Sequence, residues 1–208
     1  DKITAQILGG PAVIRSSTPS DGSIRVIATG RVNLDNPRQL ARGRPTGTTQ
    51  IWMRHLRGST DCRAALHIRN KLTNVSIESS LQGIASDLPE PFAKIATDSM
   101  PLRFERKAVD SRRDDLILRY GGLAAAQIKR SRDNAGNYHA ERGMVSFGTT
   151  SALSPAKTGV AVSGSLPLLD LDQWRNLFKQ FDEGAGPSLG LTRINLHIGA
   201  LDFLDRRF

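Results

Sequence analysis

Along most of this chain apolar and polar residues alternate one for one. Ile24, Val26 and Ala28 alternate with Arg25 and Thr29, with Ile27 the exception. Cys62, Ala64, Leu66 and Ile68 share one parity against Arg63, Ala65, His67 and Arg69. Val75, Ile77 and Leu81 oppose Asn74, Ser76, Glu78 and Ser80, and Leu102 and Phe104 oppose Arg103 and Glu105. Leu116, Leu118 and Tyr120 share a side that Ile117 blurs, and Ile194, Leu196 and Ile198 alternate with Arg193, Asn195 and His197. Successive side chains of a strand point to opposite faces, so this period of two predicts sheets with one apolar face. Residues 2–8, 11–16, 123–130, 138–147 and 158–166 are weaker strand candidates.

Turn residues separate these runs: Ser20-Asp21-Gly22, Gly121-Gly122, and Asp133 to Asn137, where a hairpin is expected. Many strands joined by short turns favour an antiparallel meander over crossovers, which need a dozen or more residues each. One helix is convincing, over residues 170–182. Leu171, Trp174, Phe178 and Phe181 fall three or four apart, with Leu177 beside them. Asp170 or Asp172 is placed to cap it, and Gly184 and Gly186 to end it. Shorter helices are expected near Pro37–Gly43 and Ile51–Arg57, and another starting in Pro89-Glu90-Pro91-Phe92-Ala93-Lys94. The pattern is mainly β with a few helices, an α+β chain without an internal domain boundary.

Composition narrows the class. Of 208 residues 38% are hydrophobic and 24% charged, which is globular rather than disordered. Cys62 is the single cysteine, so no internal disulfide staples the fold. No apolar run is long enough to span a bilayer. Asp1 is not an initiator methionine and no signal-like segment follows it, so a piece of a longer protein is expected, with any anchor outside it. The net charge is +9, of which the stretch from Arg25 to Arg69 holds +7, nine arginines against Asp35 and Asp61. Such a stretch attracts nucleic acid or anionic head groups. Its arginines are spread over strands and loops with Trp52 as their single aromatic, which fits a solvated surface better than a base-stacking platform.

No catalytic signature stands out. There is no phosphate-binding Gly-rich loop, no nucleophile elbow and no zinc-protease helix. His55, His67, His139 and His197 lack metal-ligand spacing. Cys62 and His67, five apart on one predicted strand, point to opposite faces and do not form a dyad. Asp170 and Asp172 have the spacing of a small acid pair, but helix capping accounts for them. No catalytic residue, metal ligand or cofactor is therefore expected. The remaining property is physical. Long apolar rows have one strongly amphipathic helix to cover them. Either strands and helices close into an ordinary core, or part of the apolar face stays open as a groove for acyl chains.

Several strings resemble one family. Residues 79–94, from Ser79-Ser80-Leu81-Gln82-Gly83 to Pro91-Phe92-Ala93-Lys94, resemble a signature of the YhdP branch of the AsmA-like envelope proteins. So do residues 162–174, Val162-Ser163-Gly164-Ser165-Leu166-Pro167-Leu168-Leu169-Asp170-Leu171-Asp172-Gln173-Trp174. Gly58-Ser59-Thr60-Asp61 and residues 198–208 are weaker matches, and residues 1–57 match in general character alone. Cys62 stands where the family leads one to expect an aromatic, and Asp205 where it leads one to expect glycine. The resemblance implies a periplasmic segment of a larger protein, anchored in the inner membrane outside this chain. It also implies a strongly curved antiparallel sheet forming an open groove that carries phospholipid between the two membranes of a Gram-negative envelope. It supplies no catalytic motif.

The expected lining is Leu66, Ile68, Val75, Ile77, Leu116, Leu118, Val160, Val162, Ile194, Leu196 and Ile198, with the helix packed across one end through Trp174 and Phe178. The expected partners are phospholipid acyl chains and neighbouring segments of the full-length protein, with no nucleic acid. A structural or scaffolding segment is the rival class, and a basic nucleic-acid module a weaker one.

Overall fold

The computed structural model describes residues 1–7, 9–35, 52–148, 158–179, 190–204 and 206–208. Thirteen strands make one sheet. In chain order they are β1 (Lys2–Ile7), β2 (Gly10–Ser17), β3 (Ile24–Asn33), β4 (Leu56–Arg69), β5 (Leu72–Ser79), β6 (Ile84–Ser86) and β7 (Leu102–Ala108). Then come β8 (Arg113–Tyr120), β9 (Ala124–Arg132), β10 (Tyr138–Phe147), β11 (Gly159–Asp170), β12 (Leu191–Phe203) and β13 (Arg206–Arg207). Their spatial order follows the sequence from β1 to β13, except that β6 leaves the path and pairs with β4. The sheet is open, since β1 and β13 do not pair.

All the strong period-two runs are strands, and so are the weaker candidates. The turns work as their residues dictate. Asp21 accepts from the Ser23 N–H and hydroxyl at 3.0 and 2.7 Å, and Gly22 takes φ 72°. Asp133 closes the β9–β10 hairpin by accepting from the Asn137 N–H at 2.8 Å.

Three expectations need correction. The meander is antiparallel only as far as β10, because β10–β11 and β11–β12 pair in parallel. The stretches between Phe147 and Gly159 and between Asp170 and Leu191 are not tight turns. They are long enough to return the chain to the same end of the sheet, the second carrying a helix. The residues from Pro89 to Lys94 form a turn rather than a helix. The N–H and C=O of Lys94 bond Ser86 at 3.0 and 2.8 Å as an isolated bridge, which takes the groups a helix needs. Residues 52–54 are helical as expected, but β4 takes over at Leu56. The helix near Pro37–Gly43 lies outside the described residues.

The convincing helix is α1 (Leu171–Phe178). Asp170 caps it, accepting from the Gln173 N–H at 2.8 Å and the Gln173 side-chain amide at 2.7 Å. Lys179 is its C-cap, and Phe181, Gly184 and Gly186 lie outside the described residues. The buried hydrophobic side chains among the described residues are Ala12, Ile84, Val160, Ala161, Leu166 and Leu177. A second layer that sealed the sheet would bury far more of its apolar side chains.

Candidate functional site

Residues paired across neighbouring strands point to the same face, so the register assigns every side chain to a side. One row runs Ile3–Ile14–Ala28–Ala64–Ile77–Phe104–Leu118–Ala126–Val145–Val162–Ile194. It crosses eleven strands without a polar residue. At a strand spacing of ~4.8 Å this is about 48 Å of continuous apolar surface. Two residues further along each strand, the next row runs from Ala5 and Ala12 through Gly30, Cys62, Ser79, Leu102, Tyr120, Ala124, Phe147 and Gly164 to Leu196. The row on the other side holds Val26, Leu66, Val75, Arg106, Leu116, Ile128, Gly143 and Val160.

Every residue of the expected lining lies on this one face. Ile77, Leu118, Val162 and Ile194 are in the central row, Leu196 in the second, and Leu66, Val75, Leu116 and Val160 in the third. Ile68 follows Leu66 opposite Ile24, and Ile198 pairs with the buried Leu166. Two β-irregularities keep the rows aligned. Between Ala140 and Arg142 the register skips Glu141, so Tyr138 and Ala140 share a face with Gly143, Val145 and Phe147. A second shift lets Val160 pair with Leu191 while Ala161 pairs with Arg193.

Exposure along the face is uneven. Val160 is sealed, while Leu118 keeps 37% of its surface and Ile3 and Ile194, at the two edges, keep 59% and 63%. One end is closed by rings. Phe92 packs on Tyr120 and edge-on to Phe147, with centroids 5.8 and 6.3 Å apart. Trp174 of α1 meets Phe92 at 5.8 Å, Trp52 at 6.4 Å and Phe178 at 5.6 Å, and its Nε1–H donates to the Glu90 carbonyl at 2.9 Å. Phe178 sits at the rim of this cluster, and Leu177 is the side chain of α1 that is buried. The sequence carried no sign that Trp52, Phe92, Tyr120 and Phe147 would meet, because they come from separate elements.

The far side of the sheet carries charged side chains from β3 to β9, although Ile27, Ala65, Ile117, Met144 and the buried Ala161 also lie on it. Thr29, Arg63, Glu78, Arg103 and Arg119 follow one another across β3, β4, β5, β7 and β8. Arg103 pairs with Glu78 at 3.1 Å and Glu105 at 2.6 Å, Lys107 with Glu105 at 2.9 Å, and Lys129 with Asp115 at 3.4 Å. Arg25, Arg31, Arg63 and Arg69 of the basic stretch lie on this side, spread over β3 and β4. A cavity of about 830 Å³ opens against this part of the sheet, lined by Thr29, Arg31, Arg63, Glu78 and Arg103 and also by Gly30, Cys62, Ser79 and Leu102 of the second row, and none of the expected lining residues borders it. Cys62 and His67 take opposite faces, Cys62 between Gly30 and Ser79 and His67 between Arg25 and Asn74. Burial pushes the Cys62 thiol up, away from a reactive thiolate.

Comparison with known proteins adds one fact. A family model described as YhdP protein matches residues 1–208. The chain belongs to the YhdP family. The match includes residues 1–57, where the sequence strings carried no specific likeness. No curated protein and no solved structure matches the chain. Membership of the YhdP family suggests an envelope-associated protein. Among the described residues no helix is long and apolar enough to cross a membrane.

A charged cluster sits at the opposite end of the apolar face. Asp114 of β8 is 1% exposed and accepts from Arg106 Nε at 2.6 Å and from Arg130 Nε and Nη2, both at 2.9 Å. Burial raises its pKa, but these bonds from Arg130 and Arg106 outweigh burial and hold the carboxyl below its ordinary value. The available signal was an arginine on the apolar parity of β7, two residues past Phe104.

Proposed function

We propose that this chain is a segment of a periplasmic protein, anchored to the inner membrane outside these residues, that carries phospholipid between the inner and outer membranes. The apolar face of the open sheet shelters the acyl chains as the floor of a curved groove, while the charged face meets water. The role is non-catalytic and requires no cofactor. The observation that carries this reading is the unbroken eleven-strand apolar row opposite a face of ion pairs. Removing each CH₂ from water is worth about 0.8 kcal/mol, so a row of this length that stays partly exposed offers acyl chains a favourable surface. Exposed Ile3 and Ile194 take the row to both edges of the sheet, which supports neighbouring strands of a longer protein as partners.

A face-resolved crosslink tests it. A photoreactive amino acid at position 118 is expected to label phospholipid in the cell envelope, and the same group at 119 is not. Equal labelling at both positions, or none at 118, removes the reading and leaves a structural segment in its place. The nucleic-acid reading is less supported, because its one aromatic in the basic stretch, Trp52, joins the ring cluster at 6.4 Å from Trp174.

A further inference from the structure

We infer that Arg106, Arg130 and Arg132, converging on Tyr138 at one end of the apolar face, form a subsite for the phosphate of a phosphodiester. The Arg130 guanidinium lies 4.4 Å over the Tyr138 ring and that of Arg132 lies 5.8 Å from the same centroid. Arg106 Nη2 donates to the Tyr138 hydroxyl at 3.3 Å. Three cations therefore surround one tyrosine. Among the described residues the one carboxylate bonded to this group is the buried Asp114, held by Arg106 and Arg130. The nearby Asp133 is turned to His139 Nε2 at 2.8 Å. The cluster keeps an excess positive charge beside an apolar band.

Its donors are also oriented and unspent. Arg106 and Arg130 use Nε and Nη2, and Arg132 uses Nε toward the Gly136 carbonyl at 2.9 Å. Nη1 of each arginine has no protein acceptor among the described residues. Asp114 fixes two of the three guanidiniums in advance, which lowers the entropic cost of gripping an anion. Arg106 and Arg130 are partly buried and Arg132 is exposed; cations in excess of their counter-charges favour an anion with several acceptor oxygens, and guanidinium groups suit phosphate. The position is specific. Arg106 interrupts the apolar row between Val75 and Leu116, so a phosphate held there leaves attached acyl chains lying along the rows beyond.

The acyl half of this inference rests on the lipid reading above, and the phosphate half does not. The chain is titrated by calorimetry with dihexanoyl phosphatidylglycerol, dihexanoylglycerol, glycerophosphoglycerol and inorganic phosphate, and compared with Arg132→Gln. Arg132 does not touch Asp114, so this variant keeps the buried pairings intact. The phospholipid is expected to bind about tenfold more tightly than the diacylglycerol, as a charge-assisted hydrogen bond allows. Arg132→Gln is expected to lose about that factor for the phospholipid and nothing for the diacylglycerol. Equal affinity for the two lipids, or an equal loss for both in the variant, overturns the phosphate subsite while sparing the acyl-chain reading. Binding of glycerophosphoglycerol alone, lost in Arg132→Gln, supports the subsite and overturns the acyl-chain reading. Inorganic phosphate bound as tightly as the diester overturns the lipid source.

Discussion

Leu118→Glu separates an open apolar face from a closed core. Leu118 sits mid-row between Phe104 and Ala126 and keeps 37% of its surface. Full burial of a leucine is worth ~1.5–3 kcal/mol, so removing one that is about two-thirds buried costs ~1–2 kcal/mol. A carboxylate at this position still reaches water and adds little to that cost. In a sealed core the same unpaired charge would add several kcal/mol and unfold the chain. Val160, 0% exposed on the same face, supplies that comparison, and Val160→Asp is expected to abolish folding. Arg119→Glu, on the charged face, is expected to change neither stability nor lipid. Denaturant midpoints, together with phospholipid per protein by native mass spectrometry, read both quantities on one sample. Leu118→Glu should stay folded with a modestly lower midpoint and lose its phospholipid. Unfolding of Leu118→Glu would mark the face as core, and a folded variant with undiminished lipid would show that the row does not hold it.

Asp114→Asn leaves Arg106 and Arg130 without their counter-charge and is expected to cost ~3–5 kcal/mol by urea denaturation; an unchanged midpoint refutes the buried triad. The Asp114 pKa is depressed in the folded state, so its contribution is complete above the ordinary value of 3.8 and is lost as pH falls through the lower, folded value. The part of the acid limb that Asp114 contributes should therefore lie below about pH 4, and the limb should be smaller in Asp114→Asn. Deleting Glu141, the extra residue of the bulge, leaves Ala140 and Gly143 two apart and keeps Tyr138, Ala140, Gly143, Val145 and Phe147 on one face in unbroken pairing with β9. Cooperative urea unfolding is expected to persist, and its loss would count against the bulge. Trp174→Ala should lower stability by ~2–3 kcal/mol, since it removes the ring that joins α1 to Phe92. His139→Gln should bring the Asp133 carboxyl, held at about 2 chiefly by its bond to His139, back toward 3.8 in an NMR titration.

The strands and their apolar parity could be read from the sequence because alternation is a local property. A residue's face depends on its own strand, and pairing only has to preserve it. This is why residues as far apart as Leu66 and Ile198 could be placed together before any pairing was known. What failed was non-local or broke the period. Residues 138–147 looked weak because Glu141 is an extra residue that shifts the alternation halfway along β10. The parallel pairing of β10, β11 and β12 was missed because strand direction is set by how far the connections reach. The Pro89–Lys94 turn was read as helical because a proline fits a first helical turn, whereas the partner that decides it, Ser86, lies outside that string. Arg106 and Asp114 carried a weak local signal, a charge on the apolar parity, which gains meaning only when a second charge from another strand faces it.

The nearly sequential strand order has a consequence for how the molecule comes apart. Each strand leans mainly on its two neighbours in the chain, so cohesion is passed from interface to interface along one dimension. Opening should begin at β1 and at the other margin, where the two-residue β13 leaves most of β12 paired on one side alone, and run inward like the fraying of a ribbon. Amide hydrogen exchange would then map a gradient that rises from both margins toward β4–β8. The slowest-exchanging amides would mark the strands that hold the ribbon together longest.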